Sequence, residues 1–173
     1  MESYRAIWAD TDNLIHAQGF SQDTVFVICG PLNHIGSLSK IWPVLTLGGT
    51  VFILEGMKDM GAFFKAFDYP SNKLATFMVP ASIRMTLQLG KDEIGRIASK
   101  TDFIETGGAA IPQSDMDALC RLFPTTRLYN TYASTETGIV CTYDYNHNAC
   151  LAGCTGKAMR NAEVFITPEG TIA

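Results

Sequence analysis

The sequence has no apolar run long enough to cross a membrane, although 47% of its 173 residues are hydrophobic. A membrane-spanning helix needs roughly 18 or more consecutive apolar residues. The chain also has no cluster of Lys and Arg and carries a net charge of -4, which excludes the basic surface typical of nucleic-acid binding. Its first residues, MESYRAIWADTDN, lack the basic and apolar segments of a signal peptide. We therefore expect a soluble, cytoplasmic protein with no membrane span and no nucleic-acid partner.

Cysteine is scarce and irregularly placed, with five residues in the whole chain. An odd number in a chain of this size argues against a disulfide framework and indicates reduced thiols. His147, Cys150 and Cys154 lie close in sequence, with Cys141 upstream, and such a set can bind zinc. Their spacing matches no paired Cys-x2-Cys pattern. Small thiols in a loop are therefore the favoured interpretation, and a zinc site is the alternative.

What the chain does have is a regular alternation of helical and extended segments. Apolar residues recur at helical spacing after Ser3, a good N-cap, and this pattern ends at Gly19. A later helix begins at a predicted capping box formed by Ser114 and Asp117. The predicted strands span 23–29, 50–54, 74–79, 102–105 and 127–130, and the other predicted helices span 38–45, 59–67, 80–89 and 114–123. This alternation predicts an α/β fold in three layers, with a mostly parallel sheet flanked by helices.

The pattern changes after Gly138. A polar extended segment is followed by a loop that contains Cys and Gly, and then by EVFITPEGTIA, which predicts a hairpin turning at Pro168-Glu169-Gly170. We expect residues 1–140 to form an α/β subdomain. Residues 141–173 are expected to form a loop and β-hairpin that begin a small β-subdomain.

Three predicted strands end in unusual residues, at the edge where open parallel sheets bind ligands. The first strand is followed by PLNHIG, the fourth by TGGAAIP and the fifth by NTYASTETG. Gly107 and Gly108 let the backbone approach a flat or phosphorylated ligand, although a tight turn needs glycine for steric reasons as well. His34 can donate a hydrogen bond to a carboxylate or phosphoryl oxygen, or it can be a satisfied polar residue.

The stretch 128–138, LYNTYASTETG, crowds hydroxyl groups and a carboxylate into one run. Ser134 and Thr135 supply hydroxyls, and Glu136 supplies the hard oxygen ligand that Mg²⁺ takes beside substrate phosphates. The structural alternative is that Ser134 or Thr135 caps a helix whose first turn contains Glu136. The residues alone leave both interpretations open.

Taken in order, these segments resemble the adenylate-forming (AMP-binding) superfamily, which includes acyl-CoA synthetases, adenylation domains and luciferases. The resemblance rests on PLNHIG, on Gly-Gly-Thr-Val at a strand start, on TGGAAIP, NTYASTETG and TGKAMRNAEVFI, and it covers nearly the whole chain. It implies the central fragment of the large N-terminal domain of an ATP-dependent ligase. Such an enzyme joins a small carboxylic acid to ATP, giving an acyl-adenylate and pyrophosphate, and usually transfers the acyl group to CoA or a carrier-protein thiol. The alternatives are a non-catalytic nucleotide-binding module and an unrelated flavodoxin-like domain.

The resemblance also implies roles for individual residues. Glu136 would bind the Mg²⁺ of ATP, Thr135 would hydrogen-bond the α-phosphate, and His34 would lie where the carboxylate meets that phosphate; these three are the predicted catalytic residues. Tyr132 would lie against the adenine. The other implied ATP-binding residues are Gly108, Ala109, Ala110, Asn130, Thr131, Ala133 and Ser134. The implied acyl pocket consists of His34, Ile35, Gly36, Thr106 and Gly107.

The sequence departs from the family pattern at several points. Ala133 stands where the family usually has Gly, and Ala110 stands where it often has Pro. The family's phosphate loop with its Lys is expected before the first helix. A ribose-binding Thr-Gly-Asp and a small domain with the adenylation Lys are expected after Ala173. The resemblance therefore implies a truncated portion of a larger enzyme that is inactive alone. Small, aryl, fatty and amino acids all remain possible substrates, with His34 favouring acyl or aryl acids.

Overall fold

The computed structural model describes residues 3–173, apart from the side chain at position 91. Its strands are β1 Val25–Ile28, β2 Thr50–Ile53, β3 Leu74–Phe77, β4 Thr101–Thr106, β5 Arg127–Ser134, β6 Gly138–Asp144 and β7 Lys157–Ala158. Its helices are α1 Tyr4–Gln18, α2 Ile35–Leu38, α3 Ile41–Thr46, α4 Met60–Ala66, α5 Pro80–Leu89, α6 Lys91–Ala98 and α7 Gln113–Leu122. Within the described residues, every helix is too short or too polar to cross a membrane.

The strands form one seven-stranded sheet in the order β2-β1-β3-β4-β5-β6-β7. Strands β1 to β5 run parallel to their neighbours, whereas β6 is antiparallel to β5 and β7 is antiparallel to β6. Crossovers through helices connect the parallel strands, as the alternating sequence pattern requires. The predicted mostly parallel α/β sheet is confirmed.

Two apolar clusters pack against the two faces of the sheet. In β1, Val25 and Val27 belong to one cluster, whereas Phe26 and Ile28 belong to the other, because side chains alternate along a strand. The first cluster includes residues from α4 to α7, such as Phe63, Ile83, Ile94, Met116 and Leu119. The second includes residues from α1 and α3, such as Leu14 and Val44. The fold therefore has three layers, as predicted.

Helix α1 begins and ends where its sequence predicts. The Ser3 Oγ accepts a hydrogen bond from the Ala6 N–H at 3.2 Å, and Gly19 ends the helix with a left-handed φ of 66°. The polar residues Thr11, Asn13 and Gln18 are buried with Leu14, whereas Tyr4 and Trp8 are exposed. The side of α1 that faces the protein is therefore largely polar.

Three helix predictions need correction. The predicted helix 38–45 is interrupted at residues 39–40, between α2 and α3, because Pro43 cannot donate to the carbonyl four residues earlier. The capping box of Ser114 and Asp117 is wrong, since Pro112 is the N-cap and Ser114 lies inside α7. Helix α6 was missed; it buries Ile94 and Ile97 from an otherwise polar segment.

The C-terminal segment forms the predicted hairpin. Ile166 and Ile172 form an antiparallel bridge, and the Thr167 N–H donates to the Thr171 carbonyl at 2.8 Å. Gly170 has a φ of 80°, which suits a turn residue. Strand β6 spans the boundary expected at residue 140 and belongs to the main sheet. The division into two subdomains stays a prediction.

Candidate functional site

A cleft of about 670 Å³ opens at the carboxyl ends of the parallel strands. The residues that line it are 29–31, 34–37, 55–58, 77–79, 82, 107–108, 131, 133–135 and 139. They follow β1, β2, β3 and β4 and include the end of β5. The rule that open parallel sheets bind ligands at the carboxyl ends of their strands selected three segments in the sequence, and the cleft lies at that edge of the sheet. We call this rule the strand-end rule.

The cleft brings together most of the predicted site residues. The predicted residues that line it are His34, Ile35, Gly36, Gly107, Gly108, Thr131, Ala133, Ser134 and Thr135. Those outside its lining are Thr106, Ala109, Ala110, Asn130, Tyr132 and Glu136. Thr106 is buried, whereas Ala109, Ala110 and Glu136 are exposed beside lining residues. The cleft thus collects all predicted acyl-pocket residues except Thr106, and about half of the predicted nucleotide residues.

The geometry of β5 explains why some of its predicted site residues line the cleft and others do not. Successive side chains point to opposite faces as far as Ala133, so Thr131 and Ala133 reach the cleft while Asn130 and Tyr132 point away from it. The pairing with β6 shifts register between Tyr132 and Ala133, and Ser134 lines the cleft as well. The Asn130 side-chain amide donates to the Cys154 carbonyl at 2.8 Å, and Tyr132 is 38% exposed. Asn130 is therefore buried away from the cleft, whereas the Tyr132 ring is accessible on the other side of β5.

Glycines on two sides of the cleft permit close packing. A Cβ on Gly107 would lie 2.6 Å from the Thr131 hydroxyl oxygen, and one on Gly36 would lie 2.5 Å from the Phe77 ring. Gly108 has a left-handed φ of 80°. These contacts leave no space for a larger residue at positions 36 and 107, and position 108 requires a conformation that favours glycine.

Thr135 and Glu136 lie in the tight turn that joins β5 to β6. The Ser134 Oγ accepts a hydrogen bond from the Thr137 N–H at 3.2 Å and lies 3.0 Å from the Thr137 hydroxyl, and Gly138 adopts a φ of 72°. A strand follows this turn, so the alternative that Ser134 or Thr135 caps a helix is wrong. The turn presents Thr135 and Glu136 in exposed positions at the mouth of the cleft.

A buried ion pair that the sequence analysis missed lies behind the cleft. The Lys40 Nζ is 2.8 Å from one Glu105 carboxylate oxygen and 2.9 Å from the other, and both side chains are fully buried. The Thr131 hydroxyl, which lines the cleft, is 3.2 Å from Glu105 Oε1 and donates to the Thr106 carbonyl at 2.9 Å. Lys40 also lies 5.8 Å from the centre of the Phe77 ring. The pair therefore supports two lining residues.

Cys29 places a thiol in the cleft wall at the end of β1. Burial raises the pKa of the Cys29 thiol, although a contact with the Thr76 hydroxyl at 3.8 Å acts in the opposite direction. The Sγ donates to the Phe77 carbonyl at 3.4 Å. A thiol with a raised pKa is a poor nucleophile near neutral pH, so Cys29 contributes to packing rather than to covalent chemistry.

The cysteine-containing loop holds its thiols in separate environments. Across residues 3–173, no three His, Cys, Asp or Glu side chains come close enough to hold a metal ion. His147 Nδ1 lies 2.8 Å from an Asp144 carboxylate oxygen. Cys150 Sγ lies 3.9 Å from Cys120 Sγ and 3.5 Å from an Asp117 oxygen. His147, Cys150 and Cys154 therefore do not converge on one point.

Comparison with known proteins identifies the family. A model of the family described as AMP-binding enzyme matches residues 1–171. The chain belongs to the AMP-binding enzyme family. This membership confirms the resemblance found in the sequence and rules out an unrelated flavodoxin-like domain. No curated protein matches the chain.

Solved structures share the fold of this AMP-binding chain. O-succinylbenzoate coenzyme A synthetase (MenE) from Bacillus subtilis, in complex with AMP, matches with a TM-score of 0.83 at 18% identity, covering 100% of this chain and 34% of that one. The N-terminal domain of FACL13 from Mycobacterium tuberculosis has a TM-score of 0.80 at 17% identity, covering 99% and 43%. A variant of E. coli MenE with bound OSB-AMS has a TM-score of 0.74 at 18% identity, covering 96% and 33%. At these identities the likeness shows the fold alone, and the chain spans less than half of each neighbour's length.

The AMP-binding chain also has cleft residues that sequence reasoning missed. Residues 55–58 follow β2, and residues 77–79 include the end of β3 and the start of the segment after it. They bring Glu55 and Lys58 to the rim and the apolar side chains of Phe77, Met78 and Val79 to the wall. Both segments were predicted as strand ends at the same edge of the sheet. Applying the strand-end rule to all five parallel strands would have found them.

Proposed function

We propose that this chain is part of an ATP-dependent carboxylic acid ligase that forms an acyl-adenylate. The observation that carries the proposal is the composition of one cleft, which is lined by His34, by Gly107 and Gly108, and by the hydroxyl-bearing residues Ser134 and Thr135. Membership of the AMP-binding enzyme family supports it. The presence of AMP in the B. subtilis neighbour supports it further.

The proposed reaction joins two anions. A carboxylate oxygen of the acid attacks the α-phosphorus of ATP, the bond from that phosphorus to the bridging oxygen breaks, and pyrophosphate leaves. His34 begins α2 from the cleft wall, where its imidazole would donate to the carboxylate or to an α-phosphate oxygen. Thr135 would hydrogen-bond the α-phosphate from the opposite wall. Positioning and charge neutralisation supply most of the catalysis in such a step.

The residues around the β5–β6 turn fit a magnesium ion that accompanies ATP. Mg²⁺ prefers octahedral oxygen ligands and is usually held by one or two carboxylates together with substrate phosphates and water. Glu136 is exposed beside Thr135, and within residues 3–173 its carboxylate has neither an ion pair nor a hydrogen bond that would compete. When bound, the ion would neutralise phosphate charge. Glu136 is therefore the proposed metal ligand.

The nucleotide base would lie beyond the end of β5. Tyr132 is partly exposed on the side of β5 away from the cleft, and Asn130 and Thr131 precede it. We assign the adenine to the Tyr132 ring, with Gly108, Ala109 and Ala110 as the other wall. The exposure of Ala109 and Ala110 leaves their backbone accessible to a flat ring.

The acid is proposed to be an acyl or aryl acid. The wall near His34 is apolar, because Ile35, Phe77, Met78 and Val79 line it together with Gly36. Such a wall buries a hydrocarbon or aromatic group favourably. A CoA thiol is the proposed acceptor, since a B. subtilis MenE variant has been solved with its product analogue OSB-NCoA. A carrier-protein thiol is the alternative acceptor.

A pyrophosphate-release assay tests the proposal. The protein as its gene encodes it is mixed with ATP, Mg²⁺ and a panel of acyl, aryl and amino acids. We expect release that depends on one class of acid, and Glu136→Ala should lower kcat by about a hundredfold, as loss of one charge-stabilising group does. Glu169→Ala, which removes an exposed carboxylate from the hairpin turn, is the matched control and should retain activity.

The same assay distinguishes the ligase from the alternative, a non-catalytic module. A non-catalytic nucleotide-binding module would bind ATP in calorimetry and release no pyrophosphate with any acid. Absence of both binding and release, or full activity in Glu136→Ala, would overturn the ligase proposal.

A further inference from the structure

Helix α1 is attached to the β5–β6 hairpin by polar contacts. The Ile139 N–H, at the start of β6, donates to Asp10 Oδ1 at 2.8 Å. Further along the helix, the Gln18 side-chain amide lies 3.4 Å from the Thr142 hydroxyl. The other buried polar side chains of α1 bond elsewhere: Thr11 donates to the Ile7 carbonyl of the same helix, and Asn13 accepts from the Asn161 N–H. Asp10 and Gln18 are therefore the residues that attach α1 to the hairpin.

Asp10 contacts the hairpin directly after the turn that contains Thr135 and Glu136. A Cβ on Gly138 would lie 2.9 Å from Asp10 Oδ1, so the Asp10 carboxylate packs closely against the backbone of the turn. Gly138 has a φ of 72° and pairs with Ser134 across the turn. The turn is therefore fixed at both ends, by the Ser134 hydroxyl at its start and by Asp10 at its end.

We propose that Asp10 is a positioning residue for the nucleotide site, which holds the β5–β6 turn so that Thr135 and Glu136 face the phosphates and their metal ion. This inference rests on the proposed function. Asp10 does not line the cleft, so it acts through the backbone of Gly138 and Ile139. A carboxylate is suited to this task because a hydrogen bond to a charged acceptor is stronger than one between neutral groups.

The test compares Asp10→Ala with two controls in the protein as its gene encodes it. Asp10→Asn keeps a side-chain oxygen that can accept the Ile139 N–H but removes the charge. Asp12→Ala removes the same charge from the same helix, yet Asp12 contacts Arg160 and Asn161 rather than the turn. Ala has a higher helix propensity than Asp, so a loss in Asp10→Ala cannot come from a weaker helix.

The variants are compared by two measurements, amide hydrogen exchange and the ligase assay. In hydrogen exchange, the Ile139 amide should lose protection at least about tenfold in Asp10→Ala and much less in Asp10→Asn and Asp12→Ala. In the ligase assay, KM for ATP should rise at least about tenfold in Asp10→Ala. KM for the carboxylic acid should stay within about twofold, because His34 and Gly107 do not depend on the turn.

The outcomes separate this inference from the proposed function. If the wild-type protein neither binds ATP nor releases pyrophosphate, the proposed function fails, and the exchange of the Ile139 amide still tests the contact with Asp10. The inference is wrong if Asp10→Ala has the Ile139 amide exchange and the KM for ATP of wild type. It is also wrong if Asp12→Ala loses as much protection and raises KM for ATP as much as Asp10→Ala does. Should Asp10→Ala not fold, Asp10→Ser, whose side chain is too short to reach the Ile139 N–H, replaces it.

Discussion

The buried Lys40–Glu105 ion pair makes a sharp prediction about stability. Both side chains have no solvent exposure, and the Lys40 Nζ lies 2.8 Å from a Glu105 oxygen. At an effective dielectric constant of about 20, two unit charges at this distance attract by about 6 kcal/mol. Desolvation of each ion costs several kcal/mol, so the net contribution of the intact pair is small. Removing one partner leaves the other charge buried without compensation, which costs about 3–5 kcal/mol.

Urea denaturation followed by circular dichroism measures this cost. We expect Lys40→Met and Glu105→Leu each to lower the free energy of unfolding by about 3–5 kcal/mol. The double variant Lys40→Met with Glu105→Leu should lie within about 1 kcal/mol of wild type, because no charge remains buried. Lys65→Met, at an exposed position in the last turn of α4, is the control and should cost less than about 1 kcal/mol.

A double-mutant cycle gives the result that would refute this reasoning. If the two single changes simply add in the double variant, the charges do not interact as the structure indicates. A decrease in the free energy of unfolding of less than about 1 kcal/mol for Lys40→Met would also show that the charges do not interact as the structure indicates.

The double variant has a second use in the ligase assay. Because Thr131, an implied ATP-binding residue, loses its Glu105 contact there, KM for ATP should rise although the fold is retained.

Three further predictions use the glycines and the Cys120 thiol. Gly107→Ala should lower the free energy of unfolding by about 1–3 kcal/mol in urea denaturation, because its Cβ would lie 2.6 Å from the Thr131 hydroxyl. Gly95→Ala is the control. Its Cβ meets nothing within 4 Å, so this change should instead stabilise α6. Burial raises the pKa of Cys120 from 9.0 to about 12, so at pH 8 mass spectrometry should find slow alkylation by iodoacetamide in the native chain and fast alkylation in urea. The raised pKa also predicts that stability falls as pH rises from about 9 toward 12. Equal alkylation rates in the two states, or a stabilising Gly107→Ala, would contradict these expectations.

Local sequence signals predicted most of the fold. The Ser3 cap, Gly19 and the Pro80 start placed two helices within a residue, because caps and proline act over one turn. Helix α6 was not predicted because, among its side chains that the structure describes, Ile94 and Ile97 alone are buried. Two residues are too short a pattern to indicate a helical face. The false capping box at Ser114 shows the converse, since a matching residue pair has no effect when Pro112 already starts the helix.

The long-range contacts near the site could not be predicted from local sequence patterns. Lys40 and Glu105 are separated by 65 positions, and Asp10 and Ile139 by 129. No local pattern connects such residues. Each contact depends on which strands the crossovers make neighbours. Lys40, the one charged residue of the predicted helix 38–45, was a signal that something buried must pair with it, because an unpaired buried charge is too costly.

The nucleotide motif is where the sequence and the structure differ most usefully. As a linear run, Tyr132, Thr135 and Glu136 suggest one continuous wall, but Tyr132 lies on the side of β5 away from the cleft and Thr135 lines it. A nucleotide with its base on Tyr132 and its α-phosphate at Thr135 would therefore cross the end of β5, spanning about 10 Å of chain. In the proposed complex, the turn that Asp10 contacts would be the point of crossing. Fixing that turn would position base, phosphate and metal ligand together, so the proposal gives α1 a role in a site that it does not touch.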